Sequence, residues 1–191
     1  MVREGHPFWI WEQEIPEEYC DAVIKRADEE SAQEAEVGNV SLNQGGVVNK
    51  QYRDTNIKWL GDKFEPISLL MFNYALRANT SAQWFFDLNG IEAIQIGQYK
   101  DGGFYNTHQD AGFGTESVFG NTRKLSVVLM LSDNNGYEGG DLVLKLTEDF
   151  VVPNKRGTII VFPSPTYHVV TPVTKGERYT AVSWVVGKPW S

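Results

Sequence analysis

The sequence predicts an α+β, mostly β fold: a sheet sandwich, barrel or jelly roll with helices flanking it from the N-terminal side. Three observations carry this. After Trp84 the apolar pattern switches to a period of two. The runs that follow are short and are separated by Gly, Asn, Asp and Pro clusters, such as Asn89-Gly90, Asp101-Gly102-Gly103, Asn134-Asn135-Gly136 and Pro163-Ser164-Pro165. Helical periodicity does not return between them, which argues against a doubly wound α/β fold. The chain of 191 residues reads as a single domain, with 1–83 as mixed helical support and 84–187 as the β core.

The elements follow in order. Pro16-Glu17-Glu18 starts a first helix, because proline suits the first helical position and early acids suit the helix dipole. Tyr19, Ala22, Val23, Ala27 and Ala35 give it a thin apolar stripe through about residue 35. Val37 to Asp54, with Gly38, Gly45, Gly46 and several Asn, reads as turns and short strands. A second helix is expected from Phe64 or Pro66 to Ala78, with Ile67, Leu70, Met71, Tyr74 and Ala75 at helical spacing. Eight strands then follow: Trp84–Leu88, Ile91–Tyr99, Phe104–Asp110, Leu125–Leu131, Leu142–Leu146, Thr158–Phe162, His168–Val173 and Tyr179–Val186.

Composition narrows the function. A chain with 41% hydrophobic and 22% charged residues reads as an ordinary soluble globular protein. No apolar run reaches the ~18 residues of a membrane helix, and the first residues lack the apolar stretch of a secretory signal. The net charge of −8 disfavours nucleic acid and anionic lipid as partners. Cys20 is the single cysteine, which excludes an intrachain disulfide and a cysteine zinc cluster and fits an intracellular setting. Any histidine metal site must come from His6, His108 and His168.

The chemistry concentrates in Tyr99 to Asp110. His108 and Asp110 stand two apart, so on a strand they share a side. His168 opens a later strand and is the third ligand candidate. Two histidines and a carboxylate form the facial triad of non-heme Fe(II) oxygenases, which leaves coordination positions free. Arg178, ten residues after His168, is suited to bidentate capture of a carboxylate. A dicarboxylate cosubstrate needs such an anchor. Thr180 shares the strand face of Arg178, and the phenol of Tyr99 is a further candidate for the same carboxylate. Plain alternatives exist for each: a hydrogen-bonded surface pair for His108 and Asp110, a surface salt bridge to Glu177 or Asp141 for Arg178, and a core tyrosine for Tyr99. His6 and Cys20 carry no assigned role.

The ordered set resembles the 2-oxoglutarate/Fe(II)-dependent dioxygenases, within them the prolyl 4-hydroxylase-like branch. The matching pieces are Tyr99, His108-Gln109-Asp110, Arg123 through Leu131, Glu138-Gly139-Gly140-Asp141-Leu142, Lys155-Arg156-Gly157 ahead of Thr158–Phe162, His168 with Pro172-Val173, and Arg178-Tyr179-Thr180 leading to Trp184. Arg53-Asp54-Thr55 with Trp59-Leu60 is similar to the N-terminal region of that branch. The resemblance implies a double-stranded β-helix (jelly-roll) core. It implies hydroxylation of a carbon coupled to oxidative decarboxylation of 2-oxoglutarate, using Fe(II) and O₂ with ascorbate as reductant. Carried over, His108, Asp110 and His168 bind Fe(II), while Arg178, Tyr99 and Thr180 bind the cosubstrate. Arg53 and Trp184 are candidates to meet the substrate, a prolyl residue in a peptide or protein. Two departures stand out. Arg178 takes a place that is lysine in many prolyl 4-hydroxylases, and Met130 one that is tyrosine in several relatives, with Ser126 on the same face as a substitute donor. The alternatives are a dioxygenase of the same class acting on another amino acid or small molecule, and a non-catalytic jelly-roll metal-binding module. A cupin-type enzyme has no need for Arg178, and the charge disfavours a nucleobase demethylase. The loop from Ala111 to Thr122, and the segment Val37 to Arg53, are expected to border the substrate.

Overall fold

The computed structural model describes residues 5–37, 47–61, 65–111, 120–133 and 135–189, which contain two helices and fifteen strands. The strongest pairing joins β8 (Thr122–Met130) to β15 (Arg178–Gly187), antiparallel, with Thr180 opposite Met130 and Trp184 opposite Ser126. They lie near the middle of an eight-stranded sheet. Outward on one side come β12 (Ile159–Pro163) and β1 (Trp9–Trp11), and on the other β6 (Ile94–Tyr99), β4 (Asn56–Leu60) and β2 (Gln33–Glu34). A second sheet of five strands has the order β11 (Phe150–Val151), β10 (Leu142–Leu144), β13 (His168–Val170), β7 (Phe104–His108), β3 (Arg53–Asp54). The remaining pair is β9 (Tyr137–Gly139) with β14 (Val173–Gly176), while β5 (Leu88–Ile91) pairs with β15.

Strand parity decides what each face holds. Both faces of the large sheet are covered, so its central strands are buried on both sides. The odd-numbered Leu125, Val127 and Leu129 of β8, Ile159 and Val161 of β12, and Ala181 and Val185 of β15 pack against the helices. The even-numbered Val128, Met130, Ile160 and Phe162 point into the second core, between the sheets, with Tyr99, Tyr137, Leu142, Leu144 and Val173. By the same period of two, Ser126, Arg178, Thr180 and Trp184 face that interior. This is a mostly β jelly roll built from antiparallel sheets with two helices on its outer face.

The helices form as the sequence predicts, with one shorter and one longer. α1 (Glu17–Asp28) follows Pro16 and buries Cys20, Val23 and Ala27. It stops well before residue 35, because Asp28, Glu29 and Glu30 crowd negative charge at the negative end of the dipole. Ala35 is buried by another route: its N–H donates to the Thr55 carbonyl at 3.0 Å, beside the β2–β4 pair. α2 (Pro66–Ser81) begins on its proline and buries Ile67, Met71, Ala75 and Ala78 at helical spacing. No helix among the described residues is long and apolar enough to cross a membrane.

Three strand boundaries move for identifiable reasons. Trp84–Leu88 is not a strand, because Gln83 and Phe85 adopt left-handed backbone (φ 60° and 53°), and pairing begins at Leu88. His168–Val173 breaks at Thr171-Pro172, since proline offers no N–H to a ladder. Phe104–Asp110 stops at His108, where the chain leaves β7 for a different hydrogen-bond partner.

Candidate metal centre

His108 closes β7 and His168 opens β13, and the two are direct partners across the antiparallel pair. Their rings lie 4.1 Å apart, centroid to centroid, at 54°. Past the strand end, the N–H groups of Asp110 and Ala111 both donate to the Ser164 carbonyl, at 3.0 and 3.2 Å. This turn brings the Asp110 carboxylate back beside the imidazoles. Its oxygens lie 3.8 Å from His108 Nε2 and 3.5 Å from His168 Nε2. One donor atom from each of the three residues lies within 4.8 Å of the others. The two-residue spacing thus delivers what the sequence predicts, although Asp110 stands outside the strand.

Neighbouring groups prepare these donors. His108 Nδ1 contacts the Asn106 carbonyl at 2.7 Å, and His168 Nδ1 contacts the Thr166 carbonyl at 2.9 Å. A carbonyl only accepts, so each Nδ1 carries the hydrogen and each Nε2 keeps its lone pair for a metal. Tyr105 stacks on His108 at 3.5 Å, and Phe162 meets His168 edge-on at 5.0 Å. Burial, helped by His168, pushes the His108 imidazole down to about 4, so it is neutral near pH 7. Burial alone would raise Asp110. The two imidazoles, the Ser126 hydroxyl and Arg123 outweigh it and hold the carboxyl below its usual range.

Ser126 lies against this carboxylate. Its hydroxyl donates to Asp110 Oδ2 at 2.6 Å, and its oxygen lies 3.1 Å from Ser164 Oγ. With its single hydrogen on the carboxylate, it supports Asp110. Partners of this kind typically tune metal affinity by ~10- to 100-fold. Ser126→Ala is therefore expected to weaken Fe(II) or Mn(II) binding by about tenfold. The KM for 2-oxoglutarate at saturating metal should hardly change. Metal titration alongside KM separates the two roles.

Deeper in the jelly roll, Arg178 is 1% exposed. Its Cζ lies 5.2 Å from the centre of the Tyr99 ring, and Nη2 points at Met130 Sδ, 3.6 Å away. Nε and Nη1 have no hydrogen-bond partner, and no carboxylate among the described residues pairs with the guanidinium. Glu177 instead accepts from Gln98 and Tyr179, and Asp141 accepts from Asn154. The backbone is shaped for this side chain: Gly140 has φ +66°, and a Cβ there would stand 2.8 Å from Arg178 Cδ. A buried cation with orphaned donors is costly unless an anion completes it. Thr180, 2% exposed, shares this face, opposite Met130 and Gly97.

Arg53 is not a solvated loop residue. It is 7% exposed, donates from Nη2 to Gln95 at 2.7 Å, and lies 4.4 Å over the Tyr105 ring that stacks on His108. Trp184 is buried under Arg123, whose Cζ stands 3.8 Å from its ring. Arg123 in turn grips Glu92 with two bonds, at 2.8 and 2.7 Å. Sequence reasoning assigned no role to Glu92 or Gln95, because only the register of neighbouring strands shows their partners. Residues 112–119 and 38–46, within the two segments expected to border the substrate, lie outside the described residues. His6 packs edge-on against Trp9, and Cys20 is buried on α1; neither belongs to this centre.

Residues 94–186, which carry both imidazoles, Asp110 and Arg178, match the family model described as 2OG-Fe(II) oxygenase superfamily. The match takes in 93 of the 191 residues, just under half of the chain, and makes this stretch similar to that superfamily. Among similar proteins, a PKHD-type hydroxylase of Synechococcus sp. (strain CC9605) is 31% identical over 150 residues, covering 74% of this chain and 61% of the relative. The chain thus spans less than two thirds of that relative's length. Among solved structures, the Pseudomonas putida prolyl-4-hydroxylase superposes with a TM-score of 0.70 at 20% identity, covering 97% of this chain and 94% of that one. A Trichoplax adhaerens prolyl hydroxylase, in complex with a hypoxia inducible factor peptide fragment, gives 0.72 at 16% identity, covering 95% and 84%. These likenesses establish the fold as that of the prolyl 4-hydroxylase-like oxygenases.

Proposed function

We propose that this chain is a 2-oxoglutarate- and Fe(II)-dependent dioxygenase that hydroxylates a carbon, with a prolyl residue in a peptide or protein as its substrate. The observation that carries the reading is the pairing of two features in one jelly roll. A His-Asp-His donor set lies within 4.8 Å, and a fully buried Arg178 has no anion partner. A purely structural metal-binding module would have no reason to keep the second. The relative named as a PKHD-type hydroxylase and the prolyl hydroxylase neighbours support the hydroxylation and the prolyl substrate.

His108 Nε2, His168 Nε2 and Asp110 would hold Fe(II), a nitrogen and oxygen set that suits this ion without being selective for it. With 2-oxoglutarate and O₂, the iron supplies the oxidation: one oxygen atom enters the substrate C–H bond and the other enters the cosubstrate as it becomes succinate and CO₂. Ascorbate is the expected reductant that keeps the metal ferrous. The protein's own part is to bind, orient and exclude water. Arg178 would fix the far carboxylate, with Tyr99 and Thr180 beside it. Ser126, Asn106 and Thr166 fix the donors. Arg53, over the Tyr105 ring that stacks on His108, and Trp184, opposite Ser126 on the inner face of the sheet, would border the substrate.

The test is incubation with Fe(II), 2-oxoglutarate, ascorbate and a proline-containing peptide library, reading succinate and peptides that gain one oxygen. Slow succinate formation without peptide, and oxygen gain confined to prolyl peptides, are expected; no 2-oxoglutarate consumption under any condition would refute the enzyme class. Zn(II), Co(II) and Ni(II) should occupy the same donors and inhibit, since they compete at least as well as Fe(II) for such ligands. Full activity with Zn(II) alone would point to hydrolysis instead.

A further inference from the structure

Resting on that reading, we propose that Arg53 is a positioning residue of the metal centre: acting through the Tyr105 ring, it sets a fixed cation behind the His108 imidazole and favours ferrous over ferric iron. The backbone prepares this column. Arg53 and Tyr105 are direct partners across the β3–β7 pair. On the other side of β7, His168 pairs with His108 and Val170 with Tyr105, so three steps along β7 oppose two along β13. That is a β-bulge, with Asn106 and Thr107 between the two rings. On a regular strand, residues three apart point to opposite faces. The extra residue turns Tyr105 to the His108 side, and the rings stack at 3.5 Å and 15°.

The bulge is held from outside by the residues that lead into β3. The Asn106 N–H donates to the Tyr52 carbonyl at 2.9 Å, and the Asn106 side-chain amide to the Gln51 carbonyl at 3.1 Å. The Tyr52 hydroxyl donates to the Thr107 carbonyl at 2.8 Å. From the same bulge, the Asn106 carbonyl accepts from His108 Nδ1. The guanidinium closes the column, with Cζ 4.4 Å from the centre of the Tyr105 ring. It is buried, and the group it donates to, Gln95 Oε1, is neutral. A cation held against a ring face and out of bulk water keeps its field. Oxidising ferrous iron adds one positive charge at the three donors, which a cation behind His108 opposes. Arg53 thus works in the same direction as the reductant.

The experiment loads wild type, Arg53→Gln and Arg53→Lys with iron, without cosubstrate or substrate, and titrates the Fe(III)/Fe(II) couple electrochemically in the absence of oxygen. Zn(II) binding to each metal-free protein is measured by calorimetry. Arg53→Gln removes the charge and keeps a polar side chain. At a fixed potential it should hold about tenfold more ferric iron relative to ferrous, a fall of ~59 mV in the midpoint. Zn(II) should bind it at least as tightly as wild type, because removing a cation does not weaken a cation site. Arg53→Lys keeps the charge, and its ferric-to-ferrous ratio should stay within about twofold of wild type. An unchanged midpoint in Arg53→Gln would overturn the assignment, as would a midpoint in Arg53→Lys as low as in Arg53→Gln. Weaker Zn(II) binding in Arg53→Gln would also overturn it, because that is the signature of a disturbed donor set rather than of a lost charge. In these three cases the functional reading stands; a wild type that takes up no iron would sink that reading and this inference together.

Discussion

His168→Ala should reduce 2-oxoglutarate turnover to below about 1% of wild type and still leave a folded protein. Groups that merely orient a ligand are worth ~10- to 100-fold in metal affinity, so loss of a ligand itself must exceed that. The pair left behind, His108 and Asp110, offers two donors where the fold assembles three. The sheet does not depend on the imidazole, because β13 pairs with β10 and β7 through its backbone. The buried ring does pack against Phe162 and His108, so its removal should cost about 2 kcal/mol, which for a chain of this size is a melting point lower by ~4–8 °C. Added Fe(II) or Mn(II) should raise the melting temperature of wild type and not of the variant, because only the folded three-donor site binds tightly. Wild-type turnover in His168→Ala would remove this residue from the ligand set.

The sequence makes this centre legible because its chemistry is compressed into short spacings. His108 and Asp110 stand two apart, and His168 opens an apolar run that has to be a strand. The structure adds the register that makes His108 and His168 partners, which no local pattern encodes. Parity explains why Arg178, Thr180 and Ser126 could be assigned to one face. It could not say what Ser126 touches, since that depends on the Ser164 carbonyl catching the chain beyond His108. The N-terminal strands β1, β3 and β4 are short additions to sheets formed elsewhere, so their own sequence carries little period. The misplaced strand at Trp84 reflects left-handed backbone at a glutamine and a phenylalanine, where no glycine announces it.

Replacing Arg178 should move function and stability in opposite directions. In the structure the guanidinium is 1% exposed, with two nitrogens unpartnered. An unpaired buried charge destabilises the ligand-free fold, and exchanging such groups for apolar ones of similar size often stabilises by about 1–4 kcal/mol. Arg178→Met keeps most of the volume beside Met130 and Val173 and removes the charge. Without cosubstrate it should melt at or above the wild-type temperature. With cosubstrate the order should reverse, because 2-oxoglutarate stabilises only the protein that binds it. The KM for 2-oxoglutarate should rise by at least about a hundredfold in Arg178→Met and Arg178→Ala, since a bidentate charge-assisted contact is lost and a buried carboxylate is left unmatched. Arg178→Lys should fall between, keeping the charge and losing the planar fork that Gly140 makes room for. Fe(II) affinity without cosubstrate should be the same in all, because Arg178 is not among the three donors. The measurements are melting curves with and without 2-oxoglutarate, KM, and metal titration on one set of variants. A variant that loses stability without cosubstrate and keeps its KM would show that Arg178 serves the core and that another residue anchors the diacid.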